Sequence, residues 1–85
     1  MLSRDWDLRG IPEWVLKEYL CKLGGVEQPE GVFLGADWQA RITPLPDEIG
    51  KLFTFHVFRV TITGEAGQVE PIWRAFQLKV LRPGG

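Results

Sequence analysis

The stretch Val69-Glu70-Pro71-Ile72-Trp73-Arg74-Ala75-Phe76-Gln77-Leu78-Lys79-Val80 carries two periodicities, and the choice between them decides the fold. Val69, Ile72, Trp73, Phe76 and Val80 recur at the three-and-four spacing that lays one apolar stripe along a helix. Phe76, Leu78 and Val80 also alternate as a strand does. Pro71 falls near the first turn of the helical version, which favours helix. As a helix the segment seals a sheet; as a strand it joins the ladder and projects the diglycine beyond it.

Upstream, Leu52 to Thr63 is rich in β-branched and aromatic residues, but its apolar phase slips: Phe53, Phe55 and Val57 are odd, whereas Phe58, Val60 and Ile62 are even. A bulge or a break near Val57 would restore one buried face, because an extra residue reverses the side each later residue faces. Gly64 and Gly67 are read as opening a loop. Pro44 to Gly50 is read as a loop too, since neither Pro44 nor Pro46 can donate to a ladder. Val32-Phe33-Leu34, the turn Gly35-Ala36-Asp37 and the segment Trp38 to Thr43 form a hairpin. Trp38, Ala40 and Ile42 then point one way, and Gln39, Arg41 and Thr43 the other.

Towards the N-terminus, Glu27 to Gly31 is turn-rich, and Ile11, Val15, Leu16, Tyr19, Leu20 and Leu23 mark a helix. Pro12 opens it and Gly24-Gly25 ends it. Glu13 with Lys17, and Glu18 with Lys22, sit four apart in the favourable order. Leu2, Trp6 and Leu8 suggest a first strand with one buried face, an alternation that Arg4 interrupts.

With 85 residues, 45% of them hydrophobic, the chain has room for one core and is expected to form one domain over residues 1–85. A net charge of -1 argues against general nucleic-acid binding, which needs a basic excess. One cysteine and one histidine supply neither an internal disulfide nor a closed zinc site, and no metal or cofactor is expected. No apolar run approaches the roughly 18 residues of a membrane span, and the first residues lack a signal-peptide pattern, so a cytoplasmic location is expected.

Trp14 and Cys21, seven apart, share the side of the first helix opposite its apolar stripe. The expectation is that the N-terminal strand, the tail or a loop covers Trp14; a homodimer or protein partner is the alternative. Cys21 reads as an inert small residue, with no histidine beside it in sequence. His56, alone in an aromatic strand, reads as a packed or edge residue. Gln39, Arg41, Thr43, Arg59, Thr61 and Thr63 are placed together on the uncovered sheet face, where the arginines offer an anion or small ligand two guanidinium groups. Polar residues alternating on a one-sided sheet also serve simply to face water.

Pro12-Glu13-Trp14-Val15-Leu16 with Tyr19-Leu20 and Gly24-Gly25, then Glu30-Gly31-Val32-Phe33, Phe58 to Gly64 and Trp73, resemble the C-terminal domain of bacterial MoaD-related proteins. The likeness runs from about Trp6 to the glycine-rich tail. It implies an α+β fold similar to the TATA-box-binding protein, an antiparallel sheet with two helices on one face in the order β-α-β-β-β-β-α. The stretch Glu65 to Pro71 is longer than the family pattern, which leaves the start of the last helix open within it. The resemblance implies a non-catalytic accessory or interaction domain associated with molybdopterin or sulfur-transfer proteins. Gly84 and Gly85 resemble the tails of ubiquitin-like sulfur carriers, in which two glycines let an extended end enter an adenylating enzyme's channel, and a carrier is the alternative function.

Overall fold

The computed structural model describes residues 1–81 and has the order β1 (Leu2–Arg9), α1 (Glu13–Lys22), β2 (Val26–Gln28), β3 (Val32–Gly35), β4 (Trp38–Ile49), β5 (Thr54–Gly64) and α2 (Ala66–Leu81). The strands form one antiparallel sheet in the order β1-β5-β4-β3-β2. The order β-α-β-β-β-β-α is thus the one expected, with residues 69–80 helical.

Register assigns the two faces. Trp6, Val60 and Ile42 lie in one row across β1, β5 and β4; Ile62, Ala40 and Phe33 lie in the next across β5, β4 and β3. On this face Val60, Ile62 and Phe33 are fully buried, sealed by Leu16 and Leu20 of α1 and by Val69 and Phe76 of α2. Trp6, Trp73 and Phe76 extend the core as an aromatic cluster with ring centroids 6.1–6.5 Å apart. Both edges of the covered face carry an ion pair to the helix above. Arg4 on β1 binds Glu70 on α2, and Glu27 on β2 lies 3.2 Å from Lys17 on α1. Arg4 therefore interrupts the alternation of β1 because it reaches a carboxylate on the helix, not because the strand is irregular.

The ends of α1 follow their sequence signals. Pro12 occupies the N-cap position. At the other end the Gly25 N–H donates to the Leu20 carbonyl and the Gly24 N–H to the Cys21 carbonyl, each at 3.0 Å. This reciprocal closure requires a left-handed residue, and Gly24 supplies it at φ 102°. Both i,i+4 pairs form, Glu13–Lys17 at 3.4 Å and Glu18–Lys22 at 3.0 Å.

Four readings are corrected. Val26–Gln28 is a strand, not part of a turn; it pairs with β3, and a short 3-10 turn at Pro29–Gly31 follows it. β4 runs through Pro44 and Pro46 instead of stopping before them. β3 pairs with β4 only as far as Arg41, so beyond that point the outer flank of β4 has no strand beside it. The two prolines are two residues apart, so their nitrogens face the same flank, and pairing with β5 continues on the other. β5 is one strand, and the register shift lies opposite it, between Leu45 and Glu48 of β4. Its phase slip reflects use of both faces: Val60 and Ile62 go to the core, whereas Val57 pairs with Leu45 on the other side. Finally, α2 begins at Ala66, with Gly67 inside it and Pro71 beyond its first turn. The bonds from Gln68 and Val69 to the Glu65 carbonyl start the helix ahead of the proline. Burial of Val69 and Phe76 on either side of Pro71 offsets the bond lost there.

Trp38 lies flat against the backbone of Gly35, where an added Cβ would come within 2.4 Å of three ring atoms. Trp38 is 6% exposed and packed into the core, so it has little room to retreat. Gly35→Ala is expected to destabilise the fold by about 1–3 kcal/mol, measured as a lower urea midpoint with an unchanged slope.

Candidate functional site

Because both helices lie on one side, the second sheet face stays open. Odd-numbered residues of β1, β4 and β5 fill it in rows: Ser3, Thr63 and Gln39; Asp5, Thr61 and Arg41; Asp7, Arg59 and Thr43. The six residues placed on one polar face by their alternation therefore do share it. β3 and β2 continue the first row with Leu34 and Val26, both exposed, so the face is apolar at that corner.

The two arginines are not equivalent. Arg59 makes a two-pronged contact with Asp7, Nε to Oδ1 at 2.7 Å and Nη2 to Oδ2 at 3.1 Å. The hydrogen bond and charge of Arg59 hold the Asp7 carboxyl below the usual carboxylate range, and the same contact raises Arg59. A two-arginine anion site is thus half used up inside the chain. Arg41 has no ion-pair partner among the described residues. Asp7 was missed as a partner because it lies 52 positions away and only the β1–β5 pairing brings it alongside. Near the Gly64 end, Gln39 and Thr63 join Leu34 and Trp38 around an open depression of about 310 Å³.

On the opposite side of the molecule, Trp14 is 67% exposed on the outer face of α1, and Cys21 is exposed on the same helix. The expected cover from the N-terminal strand or a loop is not found among the described residues, because β1 pairs at the far edge of the sheet from β2 and α1 lies towards the β2 side. His56 is an exposed residue, its Nδ1 3.1 Å from Asp47 Oδ1. Gly84 and Gly85 lie outside the described residues. Among the described residues no group of three or more His, Cys, Asp or Glu side chains gathers as a metal site would need, and no helix is long and apolar enough to cross a membrane.

One exposed cluster escaped the sequence reading. Ile49, Leu52, Phe53 and Phe55 surround the tip of the β4–β5 hairpin, and the Phe53 and Phe55 ring centroids are 6.3 Å apart. Four large apolar residues around Gly50 were the available signal, masked by reading Pro44 to Gly50 as a simple break.

Asp7 is depressed in the folded state relative to the unfolded chain, so its pairing with Arg59 contributes fully above the ordinary carboxylate value and is lost as pH falls through the depressed one. The stability difference between the native chain and Asp7→Asn is therefore expected to shrink as pH is lowered from about 5 to about 2, followed by urea unfolding at each pH.

The family described as archaeal MoaD-like protein matches the chain over residues 4–85. No curated protein matches it.

Proposed function

The chain belongs to the archaeal MoaD-like protein family, and from that membership we propose that it is a non-catalytic accessory domain that binds a protein of the molybdopterin or sulfur-transfer apparatus. In this reading residues 1–85 act as one domain in the cytoplasm, a counterpart of the C-terminal module of bacterial MoaD-related proteins. The observation that carries it is Trp14, held 67% exposed on a helix whose opposite stripe is buried in the core. Tryptophan combines a large apolar surface with one N–H donor and is the residue type most enriched among those that dominate binding energy. Cys21 shares this outer face and adds a small, soft contact beside it.

Co-purification of the tagged chain with sulfur-carrier or adenylating proteins of its own cells tests the reading. Trp14→Ala is expected to weaken capture of such a partner by about 30-fold or more, the equivalent of about 2 kcal/mol at a dominant contact, while stability changes by less than about 0.5 kcal/mol. Equal capture by the variant would remove the case for this surface.

A second reading is favoured by one observation, namely that the family match extends through Gly84 and Gly85. Here the Gly85 carboxylate is adenylated by ATP with release of pyrophosphate, sulfide-level sulfur then displaces AMP to leave a thiocarboxylate, and the folded part serves as the handle. Intact-mass measurement on chain isolated from cells making sulfurated cofactor is expected to reveal an oxygen-for-sulfur exchange at the C-terminus if the chain is a carrier. A uniform unmodified mass under those conditions would exclude it.

A further inference from the structure

β4 and β5 are longer than the strands that flank them. β1 follows β5 only as far as the Arg9–Val57 pair, and β3 leaves β4 at Arg41. The hairpin beyond these points is an arm with no strand on either flank, touched at its base by the segment after β1, where the Gly10 N–H donates to the His56 carbonyl at 3.1 Å, in a molecule 42 Å long and 20 Å thin. Its tip carries Ile49 at 84% exposure, Leu52 at 85%, Phe53 at 66% and Phe55 at 39%. Together these side chains expose on the order of 500 Å² of apolar surface, the upper end of what a monomer normally leaves in water. We infer that this tip is a contact between two copies of the chain, packed arm to arm about a two-fold axis.

Area, charge and backbone chemistry point to a second copy. Two such tips remove about 1,000 Å² from water between them, the size at which specific interfaces begin. The charges flanking the tip balance within each chain: Arg9 pairs with Glu48 at 2.8 Å, and the turn adds one acidic residue, Asp47, and one basic residue, Lys51. A strongly charged partner finds no net complement there, and an identical neighbour meets no net repulsion. Lys51 is the single basic residue of the turn, beside Asp47 and Glu48, which is a poor charge pattern for an anionic lipid surface. The turn also closes on itself through the bond from the Gly50 N–H to the Phe53 carbonyl at 2.7 Å, and Pro44 and Pro46 withhold donors from the flank of the arm. Contact by side chains, not by strand addition, is what this leaves, and the same patch on both partners makes a closed pair.

Sedimentation velocity of the 85-residue chain tests this across a concentration series. The expected mass rises from 9.7 kDa towards twice that value, and the double variant Leu52→Ser, Phe53→Ser stays at 9.7 kDa throughout. These positions are exposed, so the circular dichroism of the variant, and its thermal transition at concentrations where the native chain is monomeric, are expected to match those of the native chain. Trp14→Ala is expected to dimerise normally, which separates this contact from the partner surface on α1. A native chain that stays at 9.7 kDa at every concentration overturns the inference, and so does a double variant that still dimerises. Loss of the dimer in Trp14→Ala would place the contact on α1 and overturn it as well. A monomer that instead sediments with phosphatidylcholine vesicles would assign the tip to a membrane.

Discussion

Side chains along a strand alternate between two faces, and this chain has two helices with which to cover them. Both go to the same side. Phe33, Ala40, Ile42, Val60 and Ile62 meet Leu16, Leu20, Val69 and Phe76 there in one continuous core, and every other surface follows from that choice. The open face, the outward Trp14 and the bare hairpin are what remains once the apolar stripes of α1 and α2 have been spent on one layer. The ion pairs Arg4–Glu70 and Lys17–Glu27 mark the lateral limits of the covered face, one at each edge strand. Their exposed setting makes them weak as sources of stability, so their value lies in aligning each helix over its edge strand.

The open face illustrates how pairing changes chemistry. In sequence, Arg41 and Arg59 look like equal contributors to a binding surface. In the fold, Asp7 takes Arg59 out of circulation and leaves Arg41 among Thr43, Thr61 and Gln39. The face is therefore less cationic than its strand composition suggests, in keeping with a chain whose overall charge is close to zero. Family membership is the ground for the proposed setting in molybdopterin or sulfur-transfer systems, and it assigns no role to any one side chain.

Local signals were legible and long-range ones were not. Both ends of α1 could be read from Pro12 and Gly24-Gly25, because capping is decided within a few residues. The helical nature of 69–80 could be read from its stripe, yet its start could not, since Pro71 looks like an opening residue and becomes an interior one only because Val69 is pulled into the core. Pro44 and Pro46 misled for a related reason: whether proline breaks a strand depends on what lies beside it, and the early departure of β3 is not written near either residue. The mixed phase of β5 is ambiguous in one dimension, where a bulge and the use of both faces look alike. The three residues of β2 are too few and too polar to show any period. The face grouping of Gln39, Arg41, Thr43, Arg59, Thr61 and Thr63 was legible from alternation; the neutralising role of Asp7 was not.

The two prolines of β4 also bear on how the protein tolerates crowding. A sheet grows into a fibril when successive molecules add to both of its sides in turn. Here β2 offers three residues followed at once by Pro29, the arm offers ring nitrogens instead of donors, and β1 sets a carboxylate or a guanidinium at each position from Ser3 to Arg9 other than Ser3, Trp6 and Leu8. Any newcomer pairing strand to strand meets interrupted ladders or clustered charge. The molecule can thus carry a large apolar tip and remain guarded against runaway polymerisation.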